Sequence, residues 1–513
     1  MLPVLTAEQV RRVDELTLER EPVRSIDLME RAALAFTKAF LEDLGSAPRP
    51  VLVICGPGNN GGDGLAIARH LAARKWPVRV LCPYDPVGSS PDNALNLKRL
   101  REVVVDILSG PDRTLPAFRN DELVIDALFG TGLNRPLTGH YLHLVRELNA
   151  RKGAVVAVDL PSGAFADGGP EDHSGIVQAR RTYCFQVPKP FMLLPESSGH
   201  CGQWRVIDIG LDRDAVASSG SRHFLVEAHD TEACLPDRPG SAHKGMFGHA
   251  LLMAGGTGHL GAAIMAAAAA VRSGAGLVTV AVPRGTAMAL HTAVPEAMVR
   301  ELGDGGQLGG DPPSGRWSAV GIGPGIGQHM ETGLLLENVL RTRSAPLVLD
   351  ADALNLLASA PGLLEVLPGG SVLTPHPGEA DRLFGPSVDT RARIEKSSAF
   401  AQRHGVVVVL KGANTAICLP DGRILHNATG NVGLAKGGSG DVLTGLITGL
   451  MAQGLHPSDA AVVGVWTHGL AGDIAAEVVG ADGMTAMDVV RALPQALRRQ
   501  RRYLDGHYQG SGP

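Results

Sequence analysis

Gly437-Gly438-Ser439-Gly440-Asp441 opens an apolar helical pattern and carries the most specific chemistry in the chain. Glycines at a helix start leave backbone N–H groups free to point at a phosphate, with the macrodipole behind them. An aspartate beside such an anion hole is electrostatically awkward unless it works on a hydroxyl. A general base that takes the proton of a hydroxyl attacking a phosphoryl group needs this placement. The plain alternative is an ordinary acidic residue in a first helical turn. Lys411-Gly412-Ala413-Asn414-Thr415 follows a valine-rich run and can supply backbone and side-chain contacts to a nucleotide. In Thr374-Pro375-His376-Pro377-Gly378-Glu379 the prolines set the turn, and Glu379 can orient a magnesium-bound water. A lone His376 would more often be structural. Gly321 to Gly327 and Gly255 to Gly258 add two more glycine-rich strand ends.

The first half holds a second group. Gly56-Pro57-Gly58-Asn59-Asn60-Gly61-Gly62-Asp63-Gly64 lies between a strand pattern and a helix pattern, where glycines let backbone approach a phosphate. It is neither GxGxxG nor a P-loop, which would need a Lys-Ser/Thr pair. Asp126 precedes Phe129-Gly130-Thr131-Gly132-Leu133-Asn134-Arg135-Pro136, and Asp159 precedes Leu160-Pro161-Ser162-Gly163. A single aspartate after a strand is often only a cap or turn former. Three such loops in register are harder to set aside. Asn60, Asp126 and Ser162 offer oxygen ligands without histidine or cysteine, which suits a hard cation rather than zinc.

These loops need strands to hold them. Val51 to Cys55, Val78 to Cys82, Leu123 to Phe129 and Ala154 to Leu160 are short apolar runs, and Gly64 to Lys75 has helical spacing. The rhythm is lost from Leu211 to Gly245, which places a domain junction near residue 220 and domains at 1–220 and 221–513. Beyond it, His249 to Ala254, Gly276 to Pro283, Ala319 to Gly323, Leu347 to Asp350, Val372 to Pro375 and Val406 to Lys411 read as strands. Ala262 to Ser273, Asp441 to Gln453 and Ala460 to Val478 read as helices. Alternation of this kind implies α/β domains with parallel, doubly wound sheets and ligands at the strands' carboxyl ends.

The 513 residues carry a net charge of −5, which gives no basic surface for nucleic acid. The six cysteines are scattered without a CxxC pair, as expected of reduced, mostly buried thiols in a cytoplasmic protein. The N-terminus has no signal-like apolar stretch, and the alanine-rich segment from Gly261 to Pro283 reads as helix, turn and strand rather than a membrane span.

The motifs GPGNNGGDG, FGTGLNRPLTGHY and VDLPSG resemble the N-terminal domain of NAD(P)H-hydrate epimerases over roughly residues 5 to 215. The resemblance implies a Rossmann-like fold that interconverts the R and S hydrates of the reduced nicotinamide. It implies hydrate contacts from Asn59, Asn60, Gly61, Gly62, Asp63, Gly130, Thr131, Gly132, Leu133, Asn134, Arg135, Pro136, Tyr141 and Asp159. It also implies potassium on Asn60, Asp126 and Ser162, with Asp159 as the acid–base residue. After Ser162-Gly163 the chain reads Ala164 to Gly169 where the family usually has Leu/Val-Asp-Ala-Asp-Thr-Gly.

SGAGLVTV (Ser273 to Val280), Gly323 to Gly327, DADAL (Asp350 to Leu354), Thr374 to Glu379, Lys411 to Thr415 and Gly430 to Gly445 look like ADP/ATP-dependent NAD(P)H-hydrate dehydratases of the ribokinase-like superfamily. That resemblance implies hydrate contacts from Ala263, Gly325, His376 and Asp441, and nucleotide contacts from Lys411, Gly412, Ala413, Asn414, Thr415 and Gly440. Asp441 would be catalytic, and ADP with magnesium the phosphoryl donor. The expected partners are the hydrates and ADP, with no nucleic acid or membrane, in a homo-oligomer. A small-alcohol kinase of the hydroxymethylpyrimidine or hydroxyethylthiazole type, fused to a nucleotide-binding domain, shares the anion hole and Asp441. A non-catalytic N-terminal module is a further alternative.

Overall fold

Apolar runs too short for helices become strands buried on both faces: β1 (Val51–Cys55), β2 (Val78–Cys82), β4 (Leu123–Ala127) and β5 (Ala154–Val158). With β3 (Asp106–Ser109), β6 (Arg181–Phe185) and β7 (Gln203–Ile207) they form a parallel sheet of order β3-β2-β1-β4-β5-β6-β7. The computed structural model describes residues 1–103, 105–111, 113–151, 154–168, 172–342 and 345–502, so Gly169 of the divergent loop and the last eleven residues of the expected second domain lie outside the described residues. The chain divides into two units, Leu2–Arg222 and the part from His223 on.

In the first unit, successive strand residues point to opposite faces. Val51, Val53, Val80 and Ile125 pack with Phe36 and Phe40 of α2 (Ser25–Leu44) and Leu65 of α3 (Asn59–Ala73). Leu52, Ile54, Val124 and Val155 pack with Leu144, Val145 and Leu148 of α5 (Gly139–Ala150). Each such side chain contributes roughly 1.5–3 kcal/mol by leaving water. Before them, α1 (Ala7–Arg20) starts at a capping box in which Thr6 and Gln9 satisfy one another's backbone N–H groups. Asp167 of the divergent loop also caps it, accepting from the Ala7 N–H at 2.7 Å. Helix α4 (Pro91–Arg101) completes the layer beside α3. The sheet order reverses between β1 and β4, the switch point at which such sheets bind ligands.

The second unit contains β8 (His223–Leu225), β9 (His249–Met253), β10 (Leu277–Pro283), β11 (Met298–Leu302), β12 (Ala319–Ile322), β13 (Leu347–Leu349), β14 (Val372–Leu373), β15 (Val407–Leu410), β16 (Ala416–Cys418) and β17 (Ile424–His426). Their order is β8-β17-β16-β15-β14-β13-β12-β9-β10-β11, parallel from β15 to β11 and antiparallel at β15-β16-β17. The sheet reverses between β9 and β12, so two of the glycine-rich strand ends flank its switch point. One face packs on α6 (Leu260–Arg272), α11 (Ser439–Ala452), α12 (Pro457–Val479) and α13 (Ala486–Arg502). The other helices here are α7 (Met330–Thr342), α8 (Ala351–Ser359), α9 (Pro377–Phe384) and α10 (Thr390–His404).

With few aromatics, this core closes by backbone approach. A Cβ on Gly445 would lie 2.0 Å from the Ala266 carbonyl oxygen, and one on Gly449 would lie 2.1 Å from Ser273 Oγ. Glycine and alanine therefore let α6 and α11 cross closely. Among the described residues, α12 is the one helix long and apolar enough to span a bilayer, but it is packed against α11 and α13 inside this unit. All six cysteines are free, five of them buried.

Candidate active sites

The glycine loop after β1 is itself the opening of a helix. Gly64 was the expected start, yet α3 begins at Asn59. Close packing overrides the poor helix propensity of glycine here: a Cβ on Gly61 would sit 1.8 Å from the Gly56 carbonyl oxygen. No side chain caps this helix, and its first N–H groups face a cavity of about 640 Å³. Asn59, Asn60, Asp63, Gly130, Thr131, Gly132, Leu133, Asn134, Arg135 and Asp159 line that cavity. Gly61, Gly62, Pro136 and Tyr141 do not line it. Gly62 faces Met29, and Tyr141 stacks edge-on against Phe129 at 4.9 Å.

Asp159 follows β5 in the left-handed region, at φ +64°. Its Oδ1 accepts from Lys189 Nζ at 2.5 Å and from the Phe185 N–H at 3.0 Å. Asp159 lines the cavity wall, and the Cys184 thiol also lies against its carboxylate. Burial works against the charge of Lys189, but Asp159 and Cys184 together, through charge and hydrogen bonds, hold the ammonium above its ordinary pKa. Asp14 and Asp63 line the same cavity. Burial pushes the Asp14 carboxyl up to about 6, with Asp159 adding to the rise and Lys189 opposing it. Burial, then Asp159 and Asp14, push Asp63 well above the usual carboxylate range. One carboxylate paired with an ammonium thus faces two carboxyls biased towards their protonated form, an arrangement suited to moving a proton.

Beside the cavity, Ser162 Oγ lies 2.6 Å from Asp126 Oδ1 and 3.2 Å from the Phe129 carbonyl oxygen, and the Ser162 N–H donates to Asp126 Oδ2 at 2.8 Å. Burial raises the Asp126 carboxyl to about 6 against the pull of the Ser162 hydrogen bonds. Asn60 Nδ2 is buried without a partner, and the Asn60 amide sits against Gly130, where a Cβ would come within 3.0 Å of Oδ1. The Asp126 carboxylate, the Ser162 hydroxyl, the Phe129 carbonyl and the Asn60 amide oxygen are the kind of oxygen donors that fit a hard monovalent cation.

In the second unit Gly438, at φ +92°, precedes α11, whose first residues are Ser439, Gly440 and Asp441. No side chain caps it, so its N–H groups are open to an anion. Lys411 Nζ, from the end of β15, donates to Asp350 Oδ1 at 2.6 Å and lies 3.8 Å from Glu379 Oε2. Thr444 Oγ1 donates to Asp350 Oδ2 at 2.7 Å. Lys411 Nζ would be 3.3 Å from a Cβ on Gly440, so the ammonium stands directly beside the helix start. Burial works against its charge, but Asp350, Glu379 and Asp441 raise its pKa. Burial, then Asp350, push the Asp441 carboxyl up to about 6, with Lys411 opposing and Asp352 adding to the rise. His376 caps α9: its Nδ1 accepts from the Gly378 N–H at 3.0 Å while Glu379 Oε2 accepts from the His376 N–H at 2.8 Å. Ring nitrogen Nε2 is therefore the one left to face a ligand or Glu379 Oε1, 3.4 Å away.

Ala263 and Gly325 meet the start of α6, where a Cβ on Gly325 would lie 2.9 Å from that of His259. Gly412 and Ala413 are exposed, and Thr415 Oγ1 closes their turn on the Gly412 carbonyl at 3.0 Å. The Gly430-Asn431-Val432-Gly433 loop is anchored by Asp473, which accepts from the Gly430 N–H and from Asn431 Nδ2, both at 2.9 Å.

Lys189 and Asp14 stand among these groups although no motif singled them out, and Asp350 and Thr444 lie in the DADAL and Gly430 to Gly445 segments, which assigned them no role. Lys189 had one visible signal, a lone charge inside the apolar run Val187-Pro188-Lys189-Pro190-Phe191-Met192.

Comparison with known proteins follows the same division. A family model described as NAD(P)H-hydrate dehydratase matches residues 250–495, and one described as YjeF-related protein N-terminus matches residues 25–191. The bifunctional NAD(P)H-hydrate repair enzyme of Moorella thermoacetica is 38% identical over 512 residues, covering 96% of each chain. That of Thermofilum pendens is 34% identical over 514 residues, covering 98% of this chain and 97% of its own. The crystal structure of the ADP/ATP-dependent NAD(P)H-hydrate dehydratase from Bacillus subtilis, co-crystallised with ATP and Mg2+, is 32% identical over 54% of this chain and 98% of its own, with a TM-score of 0.47.

Proposed function

The chain belongs to the bifunctional NAD(P)H-hydrate repair enzymes, and from that premise we propose how its two sites divide the work. The protein epimerises the R and S hydrates of NADH and NADPH. It dehydrates the S form back to the reduced cofactor, with ADP consumed to AMP and phosphate. The epimerase domain is residues 1–220 and the dehydratase domain residues 221–513, acting in the cytoplasm as a homo-oligomer.

In the dehydratase, the observation that carries the reading is Asp441 in the first turn of an uncapped helix, beside Gly440 and the Lys411–Asp350 pair. The hydroxyl on the saturated ring carbon of the hydrate is a poor leaving group. Asp441 takes its proton as the oxygen attacks the terminal phosphoryl group of magnesium-bound ADP, and AMP leaves. The N–H groups of α11 and the Lys411 ammonium stabilise the charge on that phosphoryl group. Lys411 is placed for phosphate, Gly412 to Thr415 and Gly440 for the rest of the nucleotide, and Ala263, Gly325 and His376 for the hydrate. The carbon–oxygen bond of the phosphate ester then breaks, driven by the ring nitrogen lone pair, and loss of a proton from the neighbouring carbon restores the double bond.

In the epimerase, Asn59 to Asp63 and Gly130 to Pro136, with Tyr141 at their margin, hold the hydrated dinucleotide at the switch point. Asp159 does the acid–base work at the hydroxyl-bearing ring carbon, with Lys189 holding its Oδ1. Potassium would be held by Asn60, Asp126 and Ser162, where it would supply positive charge near the substrate phosphates.

The test is recovery of reduced-nicotinamide absorbance from a mixture of both hydrates with ADP and magnesium. Complete recovery with stoichiometric AMP is expected. Accumulation of a stable phosphorylated alcohol would instead indicate a kinase.

A further inference from the structure

We propose that the dehydratase domain carries a second anion site, for a small organic phosphate, at the end of the domain remote from Asp441. A cavity of about 300 Å³ opens where α6 and α11 end, a volume at the lower bound of small-molecule sites. Asp441 and Gln453 stand near opposite ends of α11, about 18 Å apart along its axis at 1.5 Å per residue.

Arg238, Arg272, Arg498 and Arg501 line this cavity, and among the described residues no acidic one does. The clustering is local, because the chain as a whole is acidic at −5. Some arginines elsewhere pair with carboxylates, as Arg79 does with Glu122 and Arg393 with Asp381. Here Arg272 and Arg498 have neither a hydrogen bond nor an ion pair among the described residues.

The other two are held in place by neutral oxygens. Arg238 Nη2 donates to the Gly274 carbonyl at 2.5 Å and to Gln453 Oε1 at 2.7 Å, and its guanidinium stacks 4.1 Å over the Phe247 ring. Arg501 Nη2 donates to the Pro236 carbonyl at 2.8 Å. Burial and the neighbouring Arg501 charge pull Arg238 below its usual pKa, as expected where positive charge is not compensated.

Helix C-termini explain part of this arrangement, since cations there offset the macrodipole by roughly 0.3–1 kcal/mol each. Arg238, bonded across the ends of both helices, fills that role by itself. Two more arginines with no partner add to the positive potential of the cavity, which an anion would offset. Arginine forks match phosphate oxygens in geometry as well as charge. Leu235, Leu450, Pro494 and Leu497 complete the wall with apolar surface, so the ligand has an organic part beside its phosphate.

Phenyl phosphate is a suitable probe, titrated by calorimetry into the full chain saturated with ADP and magnesium so that the catalytic site is filled. The double variant Arg272→Glu/Arg498→Glu alters two exposed side chains without partners, so its melting temperature and its ADP affinity should match the parent. The expected result is saturable binding of one equivalent in the parent, weakened at least tenfold in the variant. Equal binding by parent and variant would overturn the proposal, as would absence of binding once ADP is present.

Discussion

Replacing Asp441 by asparagine should stabilise the folded protein while abolishing dehydration. The folded chain raises this carboxyl from 3.8 to about 6, a shift of about 2 units. At about 1.4 kcal/mol per unit, ionising Asp441 costs the fold roughly 3 kcal/mol at neutral pH. The direction follows from the raised pKa. The unfolded chain releases this proton more readily, so the favourable contribution is fully present below the unfolded pKa and disappears as pH rises through about 6. Asparagine cannot ionise. The stability difference between Asp441→Asn and the parent should therefore be small near pH 4 and approach roughly 3 kcal/mol by about pH 8. Unfolding of the second domain, followed without nucleotide at both pH values, separates this effect from packing, which is insensitive to pH. Dehydration should fall by about 10²–10⁴-fold, the usual worth of a general base. A stability difference that is the same at both pH values would refute the claim that an enclosed, charged Asp441 is the reactive group.

Dehydration kcat/KM should rise with pH through about 6 as Asp441 ionises, and Lys411→Met should move that limb to higher pH by removing the one cation that opposes the shift. Lys189→Met strands Asp159 without its ammonium, so the first domain should lose about 3–5 kcal/mol and epimerisation should fail, while dehydration of pure S-hydrate is unchanged in rate. Gly445→Ala sets a methyl group 2.0 Å from the Ala266 carbonyl, and the second domain's denaturant midpoint should drop by an amount worth about 1–3 kcal/mol.

Strands and strand ends were legible because apolar runs bounded by glycine and aspartate have few other uses in an α/β chain. β1 and β2 begin and end where those runs do. Asp126 near the end of β4 and Asp159 just after β5 stand on neighbouring strands beside the glycine loop, as their register implied. The helix starts were less legible. Asn59 to Asp63 and Ser439 to Gly440 are helical although glycine disfavours helix, and in the first case Gly61 and Gly62 sit where a Cβ would meet the Gly56 backbone and the Met29 side chain. Groups that complete the sites were hidden for a similar reason. Asp350 reaches Lys411 across 61 residues and Lys189 reaches Asp159 across 30, separations that no local pattern reports. The arginine cavity joins segments near residues 238, 272, 453 and 500 and has no motif at all.

The division of labour between two carboxylates is tested most directly with pure R-hydrate. Supplied with ADP and magnesium, the parent chain should restore all of the reduced cofactor, and Asp159→Asn should stall on the R form while clearing the S form at the parent's rate. Undiminished clearance of the R form by Asp159→Asn would contradict the account.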